Sequence, residues 1–234
     1  GAINGTIKFW NLNGDEIQSF VSHGDNVNAV TISPNGNYIL TGGVDGIIKL
    51  WDLDGNEIQE FIGHEGDVNA VTFSPDGNYI LTNTTDGAIK LWDLDGNEIN
   101  WVNIRDWYYS DANITAIAFS PNGNYILTGT SDGKGWLWNL EGKLIQSFIK
   151  HPRYENYSTP VLSNSTIIER TLISQREFFY LYAVAFSPDG NYILTGSADY
   201  IARLLDLNGN EIQSFIGYES DVNSVAFSPN GNYI

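Results

Sequence analysis

Three constellations in this chain have the residue types for chemistry. Imidazole, hydroxyl and carboxylate groups recur as His23, Thr41 and Asp45, and 41 residues on as His64, Thr82 and Asp86. Such a set is the raw material of hydrolysis, where a base activates a hydroxyl and a carboxylate orients the base. Asp52-Leu-Asp54-Gly-Asn56-Glu57, with its copy from Asp93 to Glu98, has the oxygen donors of a calcium loop. A third group is aromatic and basic: Trp101, Arg105, Trp107, Tyr108 and Tyr109, then Arg153, Tyr154, Tyr157, Arg170 and Arg176. Tyr, Trp and Arg are the side chains that anchor interfaces.

The elements that must position these residues are repeats. The phrase Phe-Ser-Pro-(Asp/Asn)-Gly-Asn-Tyr-Ile ends at Ile39, with Ile32 in the Phe place, and again at Ile80, Ile126, Ile193 and Ile234. Its prolines, Pro34, Pro75, Pro121, Pro188 and Pro229, are 41, 46, 67 and 41 residues apart. Each phrase leads into Leu-Thr, a turn ending in Asp, a strand such as Ile47 to Leu53, and Gly-Asn-Glu-Ile. Short runs of alternating apolar and polar residues, separated by Gly, Asn, Asp or Pro, predict four antiparallel strands per unit and no helix.

The units resemble the WD-repeat family of β-propellers. Trp51-Asp52, Trp92-Asp93 and Gly63-His64 carry the likeness, with weaker copies at Trp10-Asn11, Trp138-Asn139 and Leu205-Asp206. The regularity is similar to that of bacterial, especially cyanobacterial, WD-repeat proteins, where such arrays serve as sensor or interaction modules attached to other domains. The resemblance implies an all-β fold, a single five-bladed β-propeller over 1–234 made of four-stranded antiparallel blades. Residues 1–10 align on 42–51 and so supply the last part of a unit whose first part ends at Ile234. Pairing of the N- and C-terminal segments in one blade is therefore expected; the alternative is a piece of a longer array or of a multidomain chain.

The same resemblance assigns His23, Thr41, Asp45 and Trp51, and His64, Thr82, Asp86 and Trp92, to structural hydrogen-bond relays. No catalytic residue is expected among them. Other units depart from the pattern: Thr128, Asp132 and Trp138 lack the His, and Leu205 stands in the Trp place beside Thr195 and Asp199. The calcium reading also fails on spacing. A calcium loop of the helix-flanked kind has its Gly sixth and a bidentate Glu twelfth, whereas here Gly comes fourth and the strand resumes at once. Asp-Gly between apolar strands is a hairpin turn. No metal and no cofactor are expected.

With 28 acidic against 11 basic residues the formal charge is −17, a field that repels phosphate backbones and argues against nucleic acid as partner. The chain has no cysteine, hence no disulfide and no thiolate metal site. No apolar run approaches the roughly 20 residues that span a bilayer, so no membrane role and a cytoplasmic location are expected. Sequons at Asn83, Asn113, Asn156 and Asn164 carry little weight in so Asn-rich a sequence.

What distinguishes one part of the ring from another is where the repetition breaks. Two connections between the fourth strand of one unit and the first of the next are enlarged, at about 100–111 and 150–179; family topology puts both on the top face of adjacent units. From Lys150 to Tyr182 there are four basic and three acidic residues, so this stretch is +1 and the remainder −18. A loop of this length is functional or disordered, and its Ile, Leu, Phe and Tyr content argues against disorder. A cap on the ring is the plain alternative. Asn28, Asn69, Thr115, Tyr182 and Asn223 are expected around the channel mouth, and Trp136 stands where other units have Lys8, Lys49, Lys90 and Arg203.

The reading that follows is a non-enzymatic scaffold, binding an unidentified protein partner through the top face and its two insertions. A lectin-like propeller is the alternative, its sugars stacked on Trp101, Trp107, Tyr108 and Tyr109. Repetition of that cluster in every blade would favour it, and it occurs in one. A glycosidase requires facing carboxylates in the channel, which no inner-strand position supplies.

Overall fold

The repeated Ser-Pro-(Asp/Asn)-Gly-Asn-Tyr segment folds as a tight turn, and its side chains explain why it recurs. The structure, a computed structural model, describes residues 4–103, 112–148 and 180–234. In the phrase turns the buried hydroxyls of Ser33, Ser74, Ser120 and Ser187 donate to Asn35, Asp76, Asn122 and Asp189 at 2.5 to 2.7 Å. The same hydroxyls accept from the backbone N–H of Tyr38, Tyr79, Tyr125 and Tyr192 at 2.9 Å. Gly36, Gly77, Gly123 and Gly190 then take φ of 72 to 74°, a conformation open to glycine and costly to most side chains. A buried hydroxyl satisfied in both directions makes the turn a self-contained part.

The strands alternate as expected. An N-terminal hairpin, β1 (Thr6–Trp10) and β2 (Glu16–Val21), forms a two-stranded sheet. Four four-stranded antiparallel sheets follow. The first is β3 (Val27–Ile32), β4 (Tyr38–Gly43), β5 (Ile48–Asp52) and β6 (Glu57–Phe61); the second is β7 (Val68–Phe73), β8 (Tyr79–Thr84), β9 (Ala88–Asp93) and β10 (Glu98–Asn103). The third is β11 (Ile114–Phe119), β12 (Tyr125–Thr130), β13 (Gly135–Asn139) and β14 (Leu144–Phe148); the fourth is β15 (Leu181–Phe186), β16 (Tyr192–Ser197), β17 (Ala202–Asp206) and β18 (Glu211–Phe215). There is no helix among the described residues.

The core lies between sheets. Leu40, Ile48, Leu50 and Phe61 of the first blade pack on Val68, Val71, Phe73 and Ile80 of the second. Leu81, Ile89 and Leu91 meet Ile114, Ile126, Trp136 and Trp138 of the third, and Leu127, Leu137 and Phe148 meet Leu181, Val184, Ile193 and Leu205 of the fourth. Burial of a side chain of this size is worth about 1.5 to 3 kcal/mol, so each blade owes its stability to its neighbours.

The phrase turns pass this contact along. A Cβ built on Gly77 would stand 3.7 Å from Pro34, one on Gly123 3.8 Å from Pro75, one on Gly190 3.6 Å from Pro121, and one on Gly231 3.7 Å from Pro188. Gly36 has nothing within 4 Å. The series is open at that point, and the expected pairing of the two terminal segments is not found among the described residues: β1 pairs with β2 alone, and residues 221–234 carry no strand. Trp10 is 57 % exposed, against 5 % or less for Trp51, Trp92 and Trp138, and Tyr233 is 73 % exposed.

Candidate functional site

In the first blade the segment before β3, strand β4, the β4–β5 turn and β5 bring His23, Thr41, Asp45 and Trp51 together. Trp51 Nε1 donates to Thr41 Oγ1 at 3.0 Å, His23 Nε2 lies 2.8 Å from the same oxygen, and His23 Nδ1 lies 3.0 Å from Asp45. The order that satisfies every group runs from indole N–H to hydroxyl, hydroxyl to Nε2, and Nδ1–H to carboxylate. His23 and Thr41 are buried, and the hydroxyl that would have to attack a substrate is saturated by its neighbours. The set ties the segments before the first strand and after the second strand of the blade to its third strand, with only the Asp45 carboxylate reaching the surface.

The second blade changes one link. Trp92 Nε1 donates to Thr82 at 2.9 Å and His64 Nε2 lies 2.7 Å from Thr82, but here the Thr84 hydroxyl stands between, donating to Asp86 and lying 3.3 Å from His64 Nδ1. The residue at the end of the second strand decides the difference. It is Gly43 in the first blade, where an added Cβ would meet Asp45 at 2.5 Å and His23 Nδ1 at 2.7 Å. Direct contact needs glycine at 43, and a hydroxyl at 84 bridges instead. Burial first, then the nearby Lys90 charge, pushes His64 down to about 4 against the pull of Asp86. The sequence assigned these residues; it missed Gly43 and Thr84, whose place two residues before the turn Asp was the available signal.

Other units keep parts of the device. Trp138 donates to Thr128 at 3.1 Å and Thr130 donates to Asp132 at 2.5 Å. In the fourth blade Ser197 donates to Asp199, and Thr195 approaches the Arg203 carbonyl at 3.5 Å.

A second repeated cluster lies on the third and fourth strands. Lys8, Lys49 and Lys90 stand over the rings of Trp10, Trp51 and Trp92 at 5.5 to 5.6 Å and bond to Glu16, Glu57 and Glu98 at 2.6 to 2.8 Å. In the third blade both partners change. Trp136 takes the Lys place and stacks on Trp138 at 5.7 Å, while Leu144 takes the Glu place. An ionic pair has become an apolar one, in the blade that both enlarged connections flank.

The calcium-like segments are turns. Asp52 accepts from the backbone and side-chain nitrogens of Asn56 at 2.8 Å, and Asp93 does the same with Asn97. These bonds, the Asn side chains first, hold both carboxyls below their usual range. Among the described residues no group of three or more His, Cys, Asp or Glu could hold a metal, and no helix is long and apolar enough to cross a membrane.

Four of the five residues expected at the mouth share a cause. Asn28, Asn69, Thr115 and Tyr182 are the residues passed over where the pairing slips between Val27 and Ala29, Val68 and Ala70, Ile114 and Ala116, and Leu181 and Ala183. A bulge re-aims a side chain, and here it aims toward the next unit. Asn28 donates to the Val68 carbonyl at 3.2 Å and Thr115 donates to the Leu181 carbonyl. Asn83, one of the sequon residues, is fully buried and donates to the Ile114 carbonyl at 3.0 Å. These side chains fasten neighbouring blades.

Of the aromatic and basic group, Trp101 lies on β10, opposite Lys90. Arg105, Trp107, Tyr108, Tyr109, Arg153, Tyr154, Tyr157, Arg170 and Arg176 lie outside the described residues. Their anchor points are described: one connection leaves β10 and returns at β11, the other leaves β14 and returns at β15.

The family model for the WD domain, G-beta repeat, matches residues 14–52, 55–93, 104–139, 170–206 and 209–234. No curated protein matches the chain.

Proposed function

The chain belongs to the WD-repeat family, and on that premise we propose that it is a non-enzymatic interaction module whose protein partner docks on the top face, across the connections at about 100–111 and 150–179. WD repeats generally mediate protein–protein interaction. One observation carries the reading to this face. The polar groups of the regular units are consumed internally, in relays, Asx turns and blade-to-blade bonds, so the regular surface offers little that is distinctive. The two breaks in regularity flank the same blade, the one whose Lys–Glu pair is replaced by Trp136 and Leu144. Anchors of Tyr, Trp and Arg type contribute roughly 1 kcal/mol or more each to binding.

The same reading takes the units as blades of one ring, with Gly36 receiving the contact that the other phrase glycines receive from a preceding proline.

The test is affinity capture with the parent chain and with a variant carrying a short Gly-His turn in place of 150–179. Loss of the partner by the variant is the expected result, with Arg153→Ala and Tyr154→Ala weakening it individually. A partner that responds instead to Asp52→Asn or Glu57→Gln, on the opposite face, removes the proposal and leaves the long connection as a cap.

A further inference from the structure

The fourth blade presents tyrosines at the corner where it meets the following unit. Tyr180 and Tyr182 stack at 5.5 Å with their rings 6° from parallel, and Tyr180 is 42 % exposed. The bulge between Leu181 and Ala183 takes Tyr182 out of the strand pairing. Tyr200 stands in the turn place held by Gly46, Gly87 and Gly133, at φ 67°, the one non-glycine residue with positive φ among those described. A bulky side chain enters that region at a cost, and such outliers gather at ligand sites. Ala198 N–H donates to the Tyr180 carbonyl at 2.9 Å, which ties the Tyr200 turn to the stacked pair. Exposed Tyr218 and Glu219 follow at the start of the next unit, and Asp221 lies beside the Tyr182 hydroxyl, where burial and then the Asp221 charge raise the phenol above its usual value.

The molecule itself shows what completes such a corner. Three times it sets an aromatic ring and a carboxylate around one of its own cations, in Lys8 with Trp10 and Glu16, Lys49 with Trp51 and Glu57, and Lys90 with Trp92 and Glu98. At Tyr180, Tyr182 and Asp221 the rings and the carboxylate are present, and among the described residues no lysine or arginine stands over those rings or pairs with Asp221. The net charge of −17 draws cations to it. We infer that this corner receives an arginine side chain from a basic segment of the protein partner, the guanidinium lying on a tyrosine face and bonded to Asp221. Arginine fits better than lysine because its planar fork stacks and pairs at once. The inference rests on the interaction-module reading and names the chemistry of its partner.

The probe is a fluorescein-labelled Gly/Ser peptide carrying two arginines, titrated by anisotropy at about 0.15 M salt, where long-range attraction is largely screened. Tyr180→Ala and Asp221→Asn should each weaken binding by at least about fivefold, while Tyr180→Phe and Asp206→Asn, the latter in a turn on the other face, stay within about twofold. Replacing the arginines by neutral citrulline should abolish binding. Asp221→Asn preserves shape, so its loss of binding at an unchanged melting temperature is read at the site and not through unfolding. Equal effects of Asp221→Asn and Asp206→Asn, or none from Tyr180→Ala, overturn the inference in favour of general charge attraction. The chain with 150–179 replaced should still bind the peptide; if it does not, the peptide is held by the long connection and the corner is overturned. Failure of partner capture with peptide binding intact counts against the docking connections alone.

Discussion

His64 is a half-buried imidazole whose desolvation favours the neutral form, and that makes it a pH-dependent element of stability. Its folded value of about 4 lies below the 6.5 of an unperturbed imidazole. Between these values the unfolded chain binds a proton that the folded chain refuses, so stability is complete above pH 6.5 and lost as pH falls toward 4. The full loss is roughly 3 kcal/mol at 1.36 kcal/mol per unit. Urea denaturation at steps from pH 7.5 to 4 should show this fall in the parent. His64→Ala should be less stable at pH 7.5, by about 1 to 3 kcal/mol for the partners it orphans, and nearly level across the same window. A parent whose stability stays level down to pH 4.5 contradicts the neutral assignment. Below pH 4 the turn carboxylates Asp52, Asp76, Asp93, Asp189 and Asp206, all held below their usual range, add a second and separate loss.

At the scale of the blade, the third is built on a substitution made at two places together. Trp136 is buried and packs in the layer that holds Leu144, at the positions where other blades have a Lys–Glu pair. Trp136→Lys should cost about 3 kcal/mol or more as a large-to-polar change in the core. Adding Leu144→Glu should recover about 0.5 to 1 kcal/mol, the worth of a half-exposed pair. A double variant no better than the sum of the single ones would show that the two positions do not act as a pair. The sequence made the strands legible here, because the phrase turns, the two-residue alternation and the Trp positions are local signals repeated in phase. It flagged Trp136 as an exception and did not see Leu144, since the partner is defined by cross-strand register. Of the residues expected around the channel mouth, Asn28 and Thr115 serve as fasteners between neighbouring sheets through bulges in their strands, and a bulge leaves no mark in composition. Gly43 was invisible for a similar reason, its significance being the space it leaves for His23 and Asp45.

At the scale of the molecule, the charge and the ends dominate. A net −17 keeps like molecules apart. Trp10 reports on whether the series of blades returns on itself. It is 57 % exposed where its counterparts are shielded, and a ring that closes over β1 must cover it. The fluorescence lost in Trp10→Phe, followed with acrylamide, should then resist quenching about as strongly as the buried tryptophans resist it. Free quenching of that component would leave β1 and β2 as a lone hairpin at the side of the first blade.

The phrase glycines and prolines also give the molecule a direction under load. Gly77 leans on Pro34, Gly123 on Pro75, Gly190 on Pro121 and Gly231 on Pro188, and the apolar layers run between the same neighbours. A blade that has lost one neighbour has lost one of its two contact faces, so tension applied at the two ends peels blades from the outside inward and does not rupture the body at once. Each ordinary unit then releases slack in proportion to its 41 residues, about 140 Å, and the unit holding the long connection, with 67, about 230 Å. Between two optical traps the same irregularity that marks the proposed binding face would be read as the one long step in a staircase of nearly equal ones.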